Sequence, residues 1–150
     1  MVHLDRVQTD GSEDGASVAD KINKTMKEAE RLFLFDKRKN INIPDDNFVR
    51  LGEIDETLEP GVYMVGFSVI WNMNTRIRSA IIRWSLDDGA NWMLSQKEAK
   101  DKTDINTTTY LFPIEVIANK LVELRLEMAK ETPNDVCNVI FSDLWLEKKL

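Results

Sequence analysis

The 150-residue chain has few of the residues that carry most catalysis and metal binding. It holds one cysteine and one histidine. A single cysteine cannot close an internal disulfide or build a cysteine zinc site. A Ser-His-Asp or Cys-His arrangement would have to recruit His3, which lies in a polar N-terminal stretch. Cys137 stands in the apolar run Val136-Cys137-Asn138-Val139-Ile140-Phe141 and reads as a small buried hydrophobe. There is no glycine-rich phosphate loop, no HExxH pair and no calcium-loop pattern. Basic charge is also short: 20 Lys+Arg stand against 26 Asp+Glu, a net charge of −6, which speaks against a general nucleic-acid binder. No apolar run approaches the roughly 20 residues that span a membrane. The start, Met1-Val2-His3-Leu4-Asp5-Arg6, lacks the apolar stretch of a secretion signal. These absences predict a non-enzymatic protein with no cofactor and no metal.

What the chain does contain falls into three pieces. Residues 1–16 include Thr9-Asp10-Gly11-Ser12-Glu13-Asp14-Gly15, too small and polar to pack a core, and predict a flexible arm. Residues 17–35 predict a helix, with Ser17 as N-cap and Asp20 three positions on. Val18, Ile22, Thr25, Ala29 and Leu32 follow steps of four and three, a heptad seam suited to attachment or oligomerisation. A lone helix of this length is marginal in water, so the seam must be buried on its own domain or on copies of itself.

Residues 40–150 predict strands between turn clusters. Pro60-Gly61 opens the longest, with Tyr63, Val65, Phe67, Val69 and Trp71 on one face and Val62, Met64, Gly66, Ser68 and Ile70 on the other. Ala80, Ile82, Trp84 and Leu86 share a face before a hairpin loop at Asp87-Asp88-Gly89-Ala90-Asn91. Thr108, Tyr110, Phe112 and Ile114 form another face. Val122, Leu124, Leu126 and Met128 then alternate with Glu123, Arg125 and Glu127, which predict a solvated side. Segment 115–130 also has helical spacing at Ile117, Leu121, Leu124 and Met128, but the strict alternation from Leu121 favours a strand. The last strand is apolar on both faces, with Val139, Phe141 and Trp145 against Ile140, Leu144 and Leu146. Such a strand is central in its sheet or meets another subunit with its second face. The whole predicts a mainly β protein, an antiparallel sandwich or barrel with a short N-terminal helix.

Two stretches resemble known proteins. Asp14-Gly15-Ala16-Ser17-Val18-Ala19-Asp20-Lys21-Ile22-Asn23-Lys24 is similar to the start found near the N-termini of bacteriophage tail-fibre, head-fibre and neck-appendage proteins. The second runs from Ile41-Asn42-Ile43-Pro44 through Pro60-Gly61-Val62-Tyr63-Met64-Val65-Gly66-Phe67-Ser68-Val69 to Val139-Ile140-Phe141-Ser142-Asp143-Leu144-Trp145-Leu146-Glu147. It resembles the C1q/TNF-like jelly roll of phage decoration and fibre-knob proteins. The resemblance implies a virion structural protein with a jelly-roll β-sandwich, made in the host bacterial cytoplasm and located in the particle. It implies a homotrimer that contacts other virion proteins through its N-terminal region. Tyr63, Phe67, Trp71, Phe141 and Trp145 are then candidates for a sheet-face interface or the core.

A second expectation is a carbohydrate- or receptor-binding sandwich whose partner is a host surface glycan. Its candidates are Trp71, Trp84 and Trp92 with the loop residues Asp87, Asp88 and Asn91. The same residues also read as core tryptophans and an ordinary hairpin, the favoured reading. Asp87-Asp88-Gly89 falls short of the roughly six to eight oxygens calcium takes. A glycan hydrolase would need two facing carboxylates, and no motif selects a pair among the 26 acidic residues.

Overall fold

The structure is a computed structural model that describes residues 32–74, 79–98, 105–133 and 135–149. Period-two alternation resolves into eight strands among them: β1 (Phe33–Ile43), β2 (Val49–Leu58), β3 (Gly61–Met73), β4 (Ser79–Ser85), β5 (Met93–Glu98), β6 (Asn106–Val116), β7 (Lys120–Lys130) and β8 (Cys137–Lys148). The first sheet has the order β1-β8-β3-β6 and the second β2-β7-β4-β5. All strand pairs are antiparallel. This order, with successive strands crossing between sheets, is that of a jelly roll.

Inward residues of both sheets make the core. β3 contributes Tyr63, Val65, Phe67, Val69 and Trp71, and β7 contributes Val122, Leu124, Leu126 and Met128, all buried. Each fully buried side chain of this size contributes about 1.5–3 kcal/mol. The Phe67 ring lies 5.0 Å from Trp84 and 5.6 Å from Tyr110. Two polar groups of the core have partners, Trp71 Nε1 donating to Thr108 Oγ1 at 3.3 Å and the Tyr63 hydroxyl to the Glu59 carbonyl at 2.6 Å, whereas Trp84 Nε1 is buried with none. Hydrogen bonds tie the sheets along one side, the Arg38 guanidinium donating to the Arg50 carbonyl at 3.4 Å among them. The Glu53 N–H donates to Asp36 Oδ2 at 2.9 Å, and the Ser142 hydroxyl to the Leu51 carbonyl at 3.1 Å.

Several expectations change. Residues 17–31 of the expected helix lie outside the described residues, but its last three positions are strand. Phe33, Leu34 and Phe35 pair with Glu147, Leu146 and Trp145, so the sandwich begins at Phe33 rather than at residue 40. The ladder to β8 outweighs the helical spacing because Leu34 gains Leu146 as its neighbour. The ambiguous segment is strand: Lys120–Lys130 is β7, paired on both sides. The two faces of the last strand are also redistributed. The β8 register skips Ile140, and Asn40 opposite has φ 55°, so a bulge lies there. It turns Val139 inward, opposite Trp71, while Phe141 stays outward, opposite Ile70.

Candidate functional site

The outer side of the first sheet is where polar residues are expected on a solitary sandwich, yet its rows are largely apolar. Register places Phe35, Trp145, Gly66 and Leu111 in one row across all four strands. The neighbouring row is Phe33, Glu147, Met64 and Pro113, and two rows the other way lie Lys39, Phe141, Ile70 and Thr107. Phe33, Phe35 and Leu111 are 52%, 55% and 59% exposed. The Trp145 ring lies flat over β3, made possible by Gly66: a Cβ there would sit 2.2 Å from Trp145 Cζ2. The Phe33 and Phe35 ring centroids are 5.8 Å apart, and Lys37 Nζ lies 5.0 Å from that of Phe35.

Between the two aromatic rows runs a polar one of Lys37, Asp143, Ser68 and Thr109. Ser68 and Thr109 share a hydroxyl hydrogen bond of 3.1 Å. Asp143 Oδ1 is buried without a hydrogen-bond partner. Burial pushes this carboxyl above the ordinary aspartate value, with Lys37 opposing.

The outer side of the second sheet differs. Arg125 and Glu127, expected on a solvated face, are only 6% and 8% exposed. They are buried because oppositely charged neighbours on flanking strands close around them. Arg125 reaches Asp55 at 2.6 Å, Asp88 at 2.8 Å and Glu123 at 3.6 Å. Glu127 accepts from Arg83 at 2.6 Å and Arg50 at 3.0 Å. The Arg83 guanidinium is stacked between Phe48 at 3.7 Å and Trp92 at 4.0 Å. The charges of this side are paired within it, while Leu94 and Leu121 are exposed there.

The residues expected to form a ligand loop serve its own conformation. Ala90 N–H donates to the Asp87 carbonyl across Asp88 and Gly89, at φ 55° and 87°, the left-handed pair of a type I′ turn. Asp87 Oδ1 accepts from the Ser85 hydroxyl at 2.6 Å and Asn91 N–H at 2.9 Å, and Oδ2 from the Asn91 amide at 2.7 Å. These bonds, Ser85 first, lower its carboxyl to about 2. Asp88 is engaged by Arg125. Trp92 rests against Gly89 and Arg83, while Trp71 and Trp84 are core. The chemistry of this loop is thus spent internally.

The other candidates separate. Tyr63, Phe67 and Trp71 are core, whereas Phe141 and Trp145 belong to the outer face of the first sheet. Val18, Ile22, Thr25 and Ala29 lie outside the described residues, and Leu32 precedes β1. Phe33, Phe35 and Leu111 are the face residues that sequence reasoning missed. Phe33 and Phe35 were absorbed by the helix, and only their spacing of two signalled a strand. Cys137 is buried, which pushes its thiol up to about 12 and makes it a poor nucleophile. Among the described residues, no group of three or more His, Cys, Asp or Glu is arranged to hold a metal ion.

The sequence matches no family model and no curated protein. Several solved structures align with the chain. The structure of infectious bursal disease virus Gt strain aligns with a TM-score of 0.53 at 9% identity, covering 79% of this chain and 33% of that one. The Eiger TNF from S. frugiperda aligns with a TM-score of 0.38 at 13% identity, over 61% of each chain. The carbohydrate-binding module TmCBM61, solved with β-1,4-galactotriose, aligns with a TM-score of 0.41 at 14% identity, over 84% of this chain and 93% of that one. The present chain spans about a third of the viral chain. Strand order and the viral likeness together identify the described part as a jelly-roll β-sandwich.

Proposed function

We propose that the chain is a structural component of a bacteriophage particle, of decoration, neck, tail or fibre type, which self-associates as a trimer and attaches through its N-terminal region. The observation that carries self-association is the aromatic outer face of the first sheet. Phe33, Phe35 and Leu111 are more than half exposed there, beside Trp145, Phe141 and Met64. No described element covers this face. Exposed apolar rows of this kind on a folded sandwich mark a contact surface, and closed symmetry buries one such face on every copy. The phage assignment rests on the resemblance of residues 14–24 to fibre and appendage N-termini, and the self-closed loop at Asp87 favours assembly over glycan binding.

Size-exclusion chromatography with light scattering tests the assembly, and imaging of purified chains mixed with phage capsids or tails tests the attachment. The expected result is a trimer at micromolar concentration that decorates particles. A monomer across that range would overturn the self-association reading.

A further inference from the structure

The outer face of the first sheet contains one group that its apolar surroundings do not suit. Asp143 projects between the Phe141 and Trp145 positions of β8, with Lys37 of β1 on one flank and Ser68 of β3 on the other. One of its carboxylate oxygens is already buried without a partner. Covering the face would strip the remaining water from this group, and a buried carboxylate persists only with a cation or donors beside it.

Among the described residues, the cations of this face are Lys37 and Lys39 on β1, with Lys149 just past β8 paired to Glu147 at 3.1 Å. Lys37 stands directly opposite Asp143, close enough for the two side chains to meet. Its ammonium lies over the Phe35 ring instead, and no ion pair joins the two. Lys39 is exposed and has no ion pair or hydrogen bond among the described residues. It lies at the β1 edge, while Asp143 and Glu115, acids of the face with no ion pair among the described residues, lie on β8 and the opposite edge strand β6. With Lys39 at its edge and the unpaired Asp143 further in, the face can present its cation to the acid of the next copy about a three-fold axis. Its size also fits a second copy. Four strands about 4.8 Å apart and ten residues long present roughly 600 Å², close to the roughly 800 Å² per partner of a stable interface.

Resting on the self-association reading, we infer that the outer face of the first sheet is occupied by a second copy of this chain, and that the ammonium of Lys39 from one copy donates to the carboxylate of Asp143 on the next. The aromatic rows on either side supply the buried area, and the ion pair sets the register at which neighbouring copies pack about the three-fold axis. Copies displaced by one row would bury Asp143 against an aromatic side chain and are disfavoured.

The experiment uses full-length chains in sedimentation and light scattering. Wild type associates. Asp143→Lys and Lys39→Asp each weaken self-association at least tenfold, and the double variant restores it. Labelled Asp143→Lys chains bind Lys39→Asp chains at least tenfold more tightly than either binds itself, an outcome open only to a pair formed between copies. Asp143→Asn, a milder change, weakens association with unaltered circular dichroism. Wild type that associates while the single variants match it, or variants that show no preference for each other, would overturn the Lys39–Asp143 contact and leave self-association standing. A wild type that stays monomeric overturns both.

Discussion

Gly66 decides more than its size suggests. In the middle of β3 a glycine weakens the strand, because it offers no side chain to pack. Its absent Cβ leaves the space into which the Trp145 ring settles, 2.2 Å from where that Cβ would be. Gly66→Ala therefore expels the ring from the sheet. The expected outcome is a red shift of tryptophan emission, a loss of about 1–3 kcal/mol in denaturant unfolding and weaker self-association. An unshifted spectrum would show that the ring does not depend on this gap. Asp143, in the adjacent row, makes the complementary point: a carboxylate on an apolar face carries a cost in desolvation, and one of its oxygens is buried without a partner.

Among the elements, β7 is held from both sides by charge as well as by backbone. Arg125 connects it to Asp55 on β2 and, through Asp88, to the turn after β4. Glu127 connects it to Arg50 on β2 and Arg83 on β4. The Arg125 carboxylates are about half exposed, which screens part of the attraction, yet the guanidinium itself is buried. Arg125→Ala leaves Asp55, Asp88 and Glu123 close together without their cation. It is expected to lower unfolding free energy by about 2 kcal/mol in denaturant titration. Lys149→Ala, which removes a surface pair with Glu147, is expected to cost below about 0.5 kcal/mol. Equal effects of the two would mean that the network on the second sheet is no more than a set of surface pairs.

For the whole molecule, both sheets and every described core position arise from Phe33 onward. Among the described residues, no ladder partner of the eight strands precedes Phe33. A chain lacking residues 1–31 is therefore expected to keep its β-sheet circular dichroism and melt in one cooperative step, and to lose binding to particles in a co-sedimentation assay. Loss of the cooperative melt would show that the N-terminal segment is part of the fold. Retained particle binding would move the attachment site onto the sandwich.

Alternation was enough to locate most strands and to assign the inward rows of β3 and β7, because burial on one face of a sheet imposes a period of two on the residues themselves. Three features depended on contacts between residues far apart in the chain. Phe33–Phe35 became strand only through pairing with β8, and the bulge at Ile140 set which side Val139 and Phe141 face. Arg125 and Glu127 looked solvated because local pattern cannot show that strands β2 and β4 bring opposite charges to them. Local periodicity records which face is buried, whereas register, bulges and cross-strand charge pairing are properties of neighbours that only folding brings together.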